Sequence, residues 1–156
     1  MFEPHILIDA DACPVRDEVY KVAQRHQALV TVVSNSYLRV PAHAQVHQVI
    51  VDDKADAADD YIAQRANQCS VVITADILLA ERCLKTGSIV LAPSGKPFTP
   101  ETIGGALAMR ELMVDLRAGA GSENIGGPAA FTTKDRSRFL QILHESLVQM
   151  ARARPN

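Results

Sequence analysis

The chain has no tryptophan, and only three tyrosines and four phenylalanines stand among its 156 residues. That leaves no evident aromatic platform on which the bases of a nucleic-acid single strand would stack. Cysteine is scarce as well. Cys13, Cys69 and Cys83 make an odd number without a CxxC pair, which suggests neither a disulfide framework nor a zinc site. No apolar run reaches the roughly 18 residues that a membrane helix requires. The start, Met-Phe-Glu-Pro-His, lacks the basic segment of a signal peptide. No membrane partner is expected, and a cytoplasmic location is the default expectation. Net positive charge is also missing: a formal charge of −2 argues against a protein that coats nucleic acid by bulk attraction. The charge is uneven, however. Residues 1–100 carry nine Lys and Arg against twelve Asp and Glu, whereas residues 101–156 carry seven against six. An acidic site in the first part and basic contacts in the second are both compatible with that split.

What is present is an ordinary globular balance, 47% hydrophobic and 22% charged, in a length that suits one domain with a sizeable core. Five segments read as strands. They are His5–Asp9, "ALVTVVSNS" (28–36), "VHQVIV" (46–51), "SVVITAD" (70–76) and "SIVLAP" (88–93), each apolar or β-branched and closed by polar or turn-forming residues. Between them lie helical patterns. Pro14 suits the first turn of a helix in which Val15, Val19, Val22 and Ala23 recur at helical spacing. "DAADDYIAQRAN" (56–67) opens with acidic residues where the helix dipole favours them, and "ILLAERCLKTG" stops at Gly87. Strands separated by helices imply crossover connections, hence a three-layer α/β/α sandwich around a mainly parallel sheet. Only the second and third strands are joined by a loop alone. After Pro93 come the loop-like "PSGKPFTPETIGG", the helical "ALAMRELMVDLRA", the glycine-rich "GAGSENIGGPAAFTTKD" and the amphipathic "RSRFLQILHESLVQMARA". With no internal repeat, residues 1–156 are expected to form a single domain, with 93–156 packed on the rest.

Chemistry concentrates in aspartates. "ILIDADACPV" places Asp9 and Asp11 two residues apart. On a continuing strand they would face the same way, about 7 Å from each other. Like charges that close repel unless water, a basic group or a cation intervenes. Asp76 ends the fourth strand segment, and Asp56, Asp59 and Asp60 open the helix before it, with 56 on the face of 59 and 60. Open α/β sheets gather ligands beyond the carboxyl ends of their strands. Each aspartate also has a plain explanation: Asp76, Asp56 or Asp59 as a helix cap, and Asp11 as the cap of the helix after Pro14. A cap needs one carboxylate per helix, though, and "DAADD" supplies three. Without a His or Cys set nearby, the surplus points to a hard, oxygen-loving ion, Mg²⁺ or Mn²⁺. An EF-hand loop is absent. Such ions engage phosphate oxygens and activate water, a route to nuclease or phosphatase chemistry that needs no nucleophilic side chain.

"DADACP", "DAADD", "VVITADILLA", "MRELMVDLR", "GGP" and "DRSRF" together resemble the YaiI/YqxD family of small uncharacterised bacterial proteins, over residues 5–147. That family is similar to PIN-like domains, which implies a parallel sheet of order 3-2-1-4-5. Many PIN-like domains are Mg²⁺- or Mn²⁺-dependent ribonucleases. The resemblance implies catalytic carboxylates at Asp9, at Asp59 or Asp60, and at Asp76; Asp11, where PIN relatives often have a small polar residue, and Asp56 are expected as supporting metal ligands from the surplus of negative charge. It favours RNA over DNA as substrate. A non-catalytic RNA- or nucleotide-binding module and a small-molecule phosphatase are the alternatives, and the oligomeric state is open.

Other residues have two explanations each. Ser34 and Asn35, at the end of the second strand, either contact substrate or make the turn. A polyanion beside an acidic edge needs basic surface, for which Arg110, Arg117 and Arg136 with the glycine-rich loop 119–128 are the candidates. Against this stands pairing of those arginines with Glu111, Asp115 and Asp135, or plain solvation. Cys13 lies beside the aspartates, but no histidine is near in sequence, so a packed small residue is the simpler reading.

Overall fold

The computed structural model describes residues 3–11, 13–54, 56–120 and 131–153. Strands β1 (His5–Asp9), β2 (Leu29–Ser34), β3 (Val46–Ile50), β4 (Ser70–Ile73), β5 (Ile89–Leu91) and β6 (Pro97–Phe98) form one sheet. Its order is β3-β2-β1-β4-β5-β6. The first five strands are parallel and follow the expected order, so β1 is central, with Ile6 registered between Val30 and Val71. The α/β class and the mainly parallel sheet are therefore as expected.

Side chains alternate across the strands, and this splits the core in two. Ile6, Ile8, Val30, Val32, Val71 and Ile73 face α1 (Arg16–His26) and α5 (Thr133–Arg152). Leu7, Val33, Val72 and Val90 face α2 (Ala57–Arg65) and α3 (Ile77–Leu84) through Ile62, Leu79 and Cys83. Cover on both faces is why the central strands read as unbroken apolar runs. The fourth helix, α4 (Ile103–Ala120), packs on α3. Among the described residues no helix is long and apolar enough to cross a membrane.

Several boundaries differ from the sequence reading. Helix α1 begins at Arg16 with Val15 at the cap position, so Pro14 stands outside the first turn, and no side chain caps the helix. Strand β1 stops at Asp9. Ala10 N still bonds Val33 O at 3.0 Å, and Cys13 N then reaches back to Ala10 O at 3.3 Å. Asp11 consequently sits exposed in a turn rather than on the pleat, and the face-sharing argument for Asp9 and Asp11 fails. The loop from β2 to β3 makes a parallel connection without a helix. Gln48 of β3 fixes it, accepting from Leu38 N at 2.6 Å and donating to Leu38 O at 2.8 Å.

Strand β6 was hidden in the loop-like stretch. It pairs antiparallel with β5 after a turn at Gly95, whose φ is +91°. A Cβ there would lie 2.9 Å from Phe139 N and 2.7 Å from Arg138 Cγ, so only glycine lets the turn meet the start of α5. That start is set by a capping box: Thr132 Oγ1 accepts from Asp135 N at 3.1 Å, and Asp135 Oδ2 accepts from Thr132 N at 3.0 Å.

Candidate functional site

Asp9 is the last residue of β1, half-buried at the carboxyl edge of the sheet. Its Oδ2 accepts a hydrogen bond from Thr74 Oγ1 at 2.8 Å, and Thr74 Oγ1 accepts in turn from Asp76 N at 2.9 Å. Thr74 follows β4, is 1% exposed, and so links the two aspartates directly. Burial pushes the Asp9 carboxyl up; the Thr74 bond opposes this, and the charges of Asp11 and Asp76 add to the rise.

Asp76 is the N-cap of α3, its Oδ1 accepting from Leu78 N at 2.9 Å and Leu79 N at 3.3 Å. The cap reading of Asp76 therefore describes it, and the same carboxylate also acts on its neighbours. Asp59, in the first turn of α2, is pushed up to about 6. Burial is the largest cause, followed by the charges of Asp76 and Asp9 and by a hydrogen bond to the Asp76 carboxyl that favours protonated Asp59. Arg82 opposes the rise. Three elements thus bring the charges of Asp9 and Asp76 to bear on Asp59.

The other expected ligands stand apart. Asp60 is spent on Arg82, whose Nη1 donates to its Oδ1 at 2.9 Å. Asp56 occupies the N-cap position of α2, exposed and without a side-chain cap bond. Asp11 is exposed and reaches Asp9 only through its charge. Ser34 is buried and donates to Ser36 O at 2.6 Å, which is the turn-making role; Asn35 next to it is exposed.

The arginines divide. Arg136 donates to Pro14 O at 2.8 Å and to Glu18 Oε1 at 3.2 Å, and its guanidinium lies over Phe131 at 4.9 Å. It docks α5 on α1 and pairs with a residue that sequence neighbours did not suggest. Arg110 and Arg117 are exposed on α4 without an ion pair among the described residues. Of the glycine-rich loop 119–128, residues 119 and 120 belong to α4, and 121–128 lie outside the described residues. Asp135 pairs with Arg138 at 3.6 Å.

Sequence reasoning missed two groups. One is Thr74, signalled only by a hydroxyl between an apolar strand and Asp76. The other is Arg16, the first residue of α1, half-buried and without an ion pair among the described residues. Its charge acts on the Cys13 thiol, as does that of Asp9. Cys13 itself is buried, and burial pushes its thiol up to about 11, so it is neutral at pH 7 and not poised as a nucleophile.

The donor chemistry at the edge suits a hard divalent cation: carboxylates in excess, with the one guanidinium that moderates Asp59 engaged by Asp60. Ready-made ligand geometry is a separate matter. Among the described residues no three His, Cys, Asp or Glu side chains are grouped so as to hold a metal ion.

Residues 7–149 match the profile of a family described as "Uncharacterized BCR, YaiI/YqxD family". A "UPF0178 protein" of Sphingopyxis alaskensis is 59% identical over 152 residues, covering 97% of this chain and 98% of that protein. A "UPF0178 protein" of Rhodopseudomonas palustris is 50% identical, with 97% and 91% covered. One of Bradyrhizobium diazoefficiens is 49% identical, with 96% and 88% covered. No solved structure matches the chain.

Proposed function

The chain belongs to the YaiI/YqxD family, and we propose that its acidic edge is the site of a divalent-metal-dependent phosphodiesterase acting on nucleic acid, RNA before DNA. One observation carries this reading. Asp59 is held at about 6 because Asp76 and Asp9 crowd it at the carboxyl end of the central strands, where it is also partly buried. Uncompensated negative charge at that place in an α/β sheet is what a cation and a phosphate would relieve. Asp9, Asp59 and Asp76 would hold the ion, Mg²⁺ or Mn²⁺, with Asp11, Asp56 and Asp60 around them. When bound, it would supply charge on a phosphate oxygen and a water of lowered pKa.

The chain's own residues have distinct tasks in this reading. Thr74 orients Asp9 and keeps one of its oxygens engaged, leaving the other free. The backbone of α3 fixes Asp76 through its two cap bonds. Asp59 is raised to about 6 in the metal-free protein, so a cation bound there would displace its proton and hold the carboxylate ionised. Arg16, Arg110 and Arg117, which make no ion pair among the described residues, would be the cations available to a phosphate.

A second reading is a nucleotide- or RNA-binding module without hydrolysis. It is favoured by the lack, among the described residues, of a preformed three-ligand group. Incubation of the protein with RNA, single-stranded DNA and nucleotides, with Mn²⁺ or with EDTA, separates the two. Cleavage that needs Mn²⁺ and disappears in Asp9→Asn supports the enzyme. Saturable binding without cleavage refutes it in favour of the module.

A further inference from the structure

Helices α1 and α5 lie side by side and run the same way. Arg136 meets Glu18 near one end, and His144 meets His26 eight residues further along both helices, the imidazoles joined from Nε2 to Nδ1 at 2.8 Å. Those eight residues span about 12 Å of helix rise. Between the two contacts opens a hollow of about 500 Å³. Lys21, Arg25, Ser137, Gln141 and His144 line it, over a floor that includes Val22.

Lysine and arginine only donate and the Ser137 hydroxyl can donate, whereas the Gln141 amide is engaged by Glu145 and the His144 imidazole by His26. Among the described residues no carboxylate lines the hollow. Ion pairs on these two helices are made elsewhere, Arg136 with Glu18 and Arg138 with Asp135, and none among the described residues joins Lys21 or Arg25 to an acid. The nearest acid along α5 is Glu145, which accepts from Gln141 Nε2 at 3.0 Å and lines the adjoining hollow with Arg152. Beside the hollow, burial, His144 and Arg25, in that order, hold the His26 imidazole below its usual value.

We propose that this groove between α1 and α5 binds a phosphate group, held by Lys21 and Arg25 from one helix and by Ser137 from the other, with the His26–His144 pair at its end. Several donors converging from two walls suit the oxygens of a phosphate. The groove lies towards the end of α1 remote from Asp9, and the inference stands whether or not the acidic edge hydrolyses anything. A free phosphate compound and the backbone of a nucleic acid share this chemistry.

The test is proton NMR of the His26 and His144 imidazoles in the full chain, with EDTA present so that nothing is cleaved and with ionic strength held constant. Sodium pyrophosphate is titrated in one arm and a short single-stranded RNA in the other. Saturable shifts of both imidazoles are expected in at least one arm. Saturation by pyrophosphate identifies a free-phosphate ligand, and saturation by RNA alone identifies the nucleic-acid backbone. The double variant Lys21→Ala, Arg25→Ala, altered only at exposed positions, should weaken that binding about tenfold or more. Silence of both imidazoles in both arms, or wild-type affinity in the double variant, overturns the proposal.

Discussion

Asparagine in place of Asp59 should make the metal-free protein more stable at neutral pH and change nothing in acid. The folded-state value of about 6 lies about two units above the reference of 3.8, equivalent to about 3 kcal/mol before screening. Asp59 is only half-buried, so solvent reduces this to about 1 kcal/mol. The sign follows from which state holds the proton more tightly. The folded protein does, so the contribution of protonated Asp59 is fully present below about pH 4 and is lost as pH rises through about 6. Wild type is therefore strained at pH 7.5 by charge that the Asp59→Asn variant would not carry, and the new amide N–H would donate to the Asp76 carboxylate where repulsion stood. In EDTA, thermal unfolding of Asp59→Asn at pH 7.5 should give a Tm about 2–4 °C above wild type. At pH 4 the two proteins should melt together. A variant that is less stable at pH 7.5, or whose gain persists unchanged at pH 4, would refute the argument that Asp9, Asp59 and Asp76 repel one another.

Further outcomes follow from single contacts. Thr74→Val keeps the shape and removes the hydroxyl between Asp9 and Asp76, so chemical denaturation should show a loss of about 1–3 kcal/mol at pH 7.5. Gly95→Ala combines positive φ with a clash against the start of α5 and should cost about 2–3 kcal/mol by the same assay. Arg136→Met keeps an apolar stem over Phe131 but loses two hydrogen bonds to α1; a cost of about 1 kcal/mol is expected, and no cost would mean that α5 docks by its apolar face alone. If RNA binds at the edge, Arg16→Gln should flatten the salt dependence of its affinity by a slope of about 0.7 per lost phosphate contact, while Mn²⁺ affinity stays unchanged.

The strands and their parallel sheet were legible because both sheet faces are covered, so each central strand announces itself as an apolar run with a polar residue where it emerges; the strand order that sets Asp9 beside Asp76 came from the resemblance to PIN-like domains. Asp59 was legible for a similar reason: a carboxylate in a first helical turn, beyond what capping requires. Contacts between distant segments were not. Nothing local tells that Arg136 will choose Glu18, 118 residues away, over Asp135, or that Asp60 will pair with Arg82. Asp11 was misplaced because the strand pleat was carried two residues too far, past the turn that returns Cys13 N to Ala10. Pro14 has the φ of a first helical residue, yet Pro14 and Val15 form a turn before α1 begins at Arg16. Strand β6 spans two residues, one of them proline, which is too short for any periodicity.

Calorimetric titration of the protein with Mn²⁺ tests the central claim most directly, with wild type, Asp9→Asn and Asp76→Asn compared at pH 7.5. Asparagine at position 76 keeps the cap of α3, so a loss of binding there is a loss of charge and not of fold. The account predicts saturable binding by wild type that weakens about tenfold or more in each variant. Mn²⁺ affinity equal in all three proteins, or absent from wild type, would contradict it.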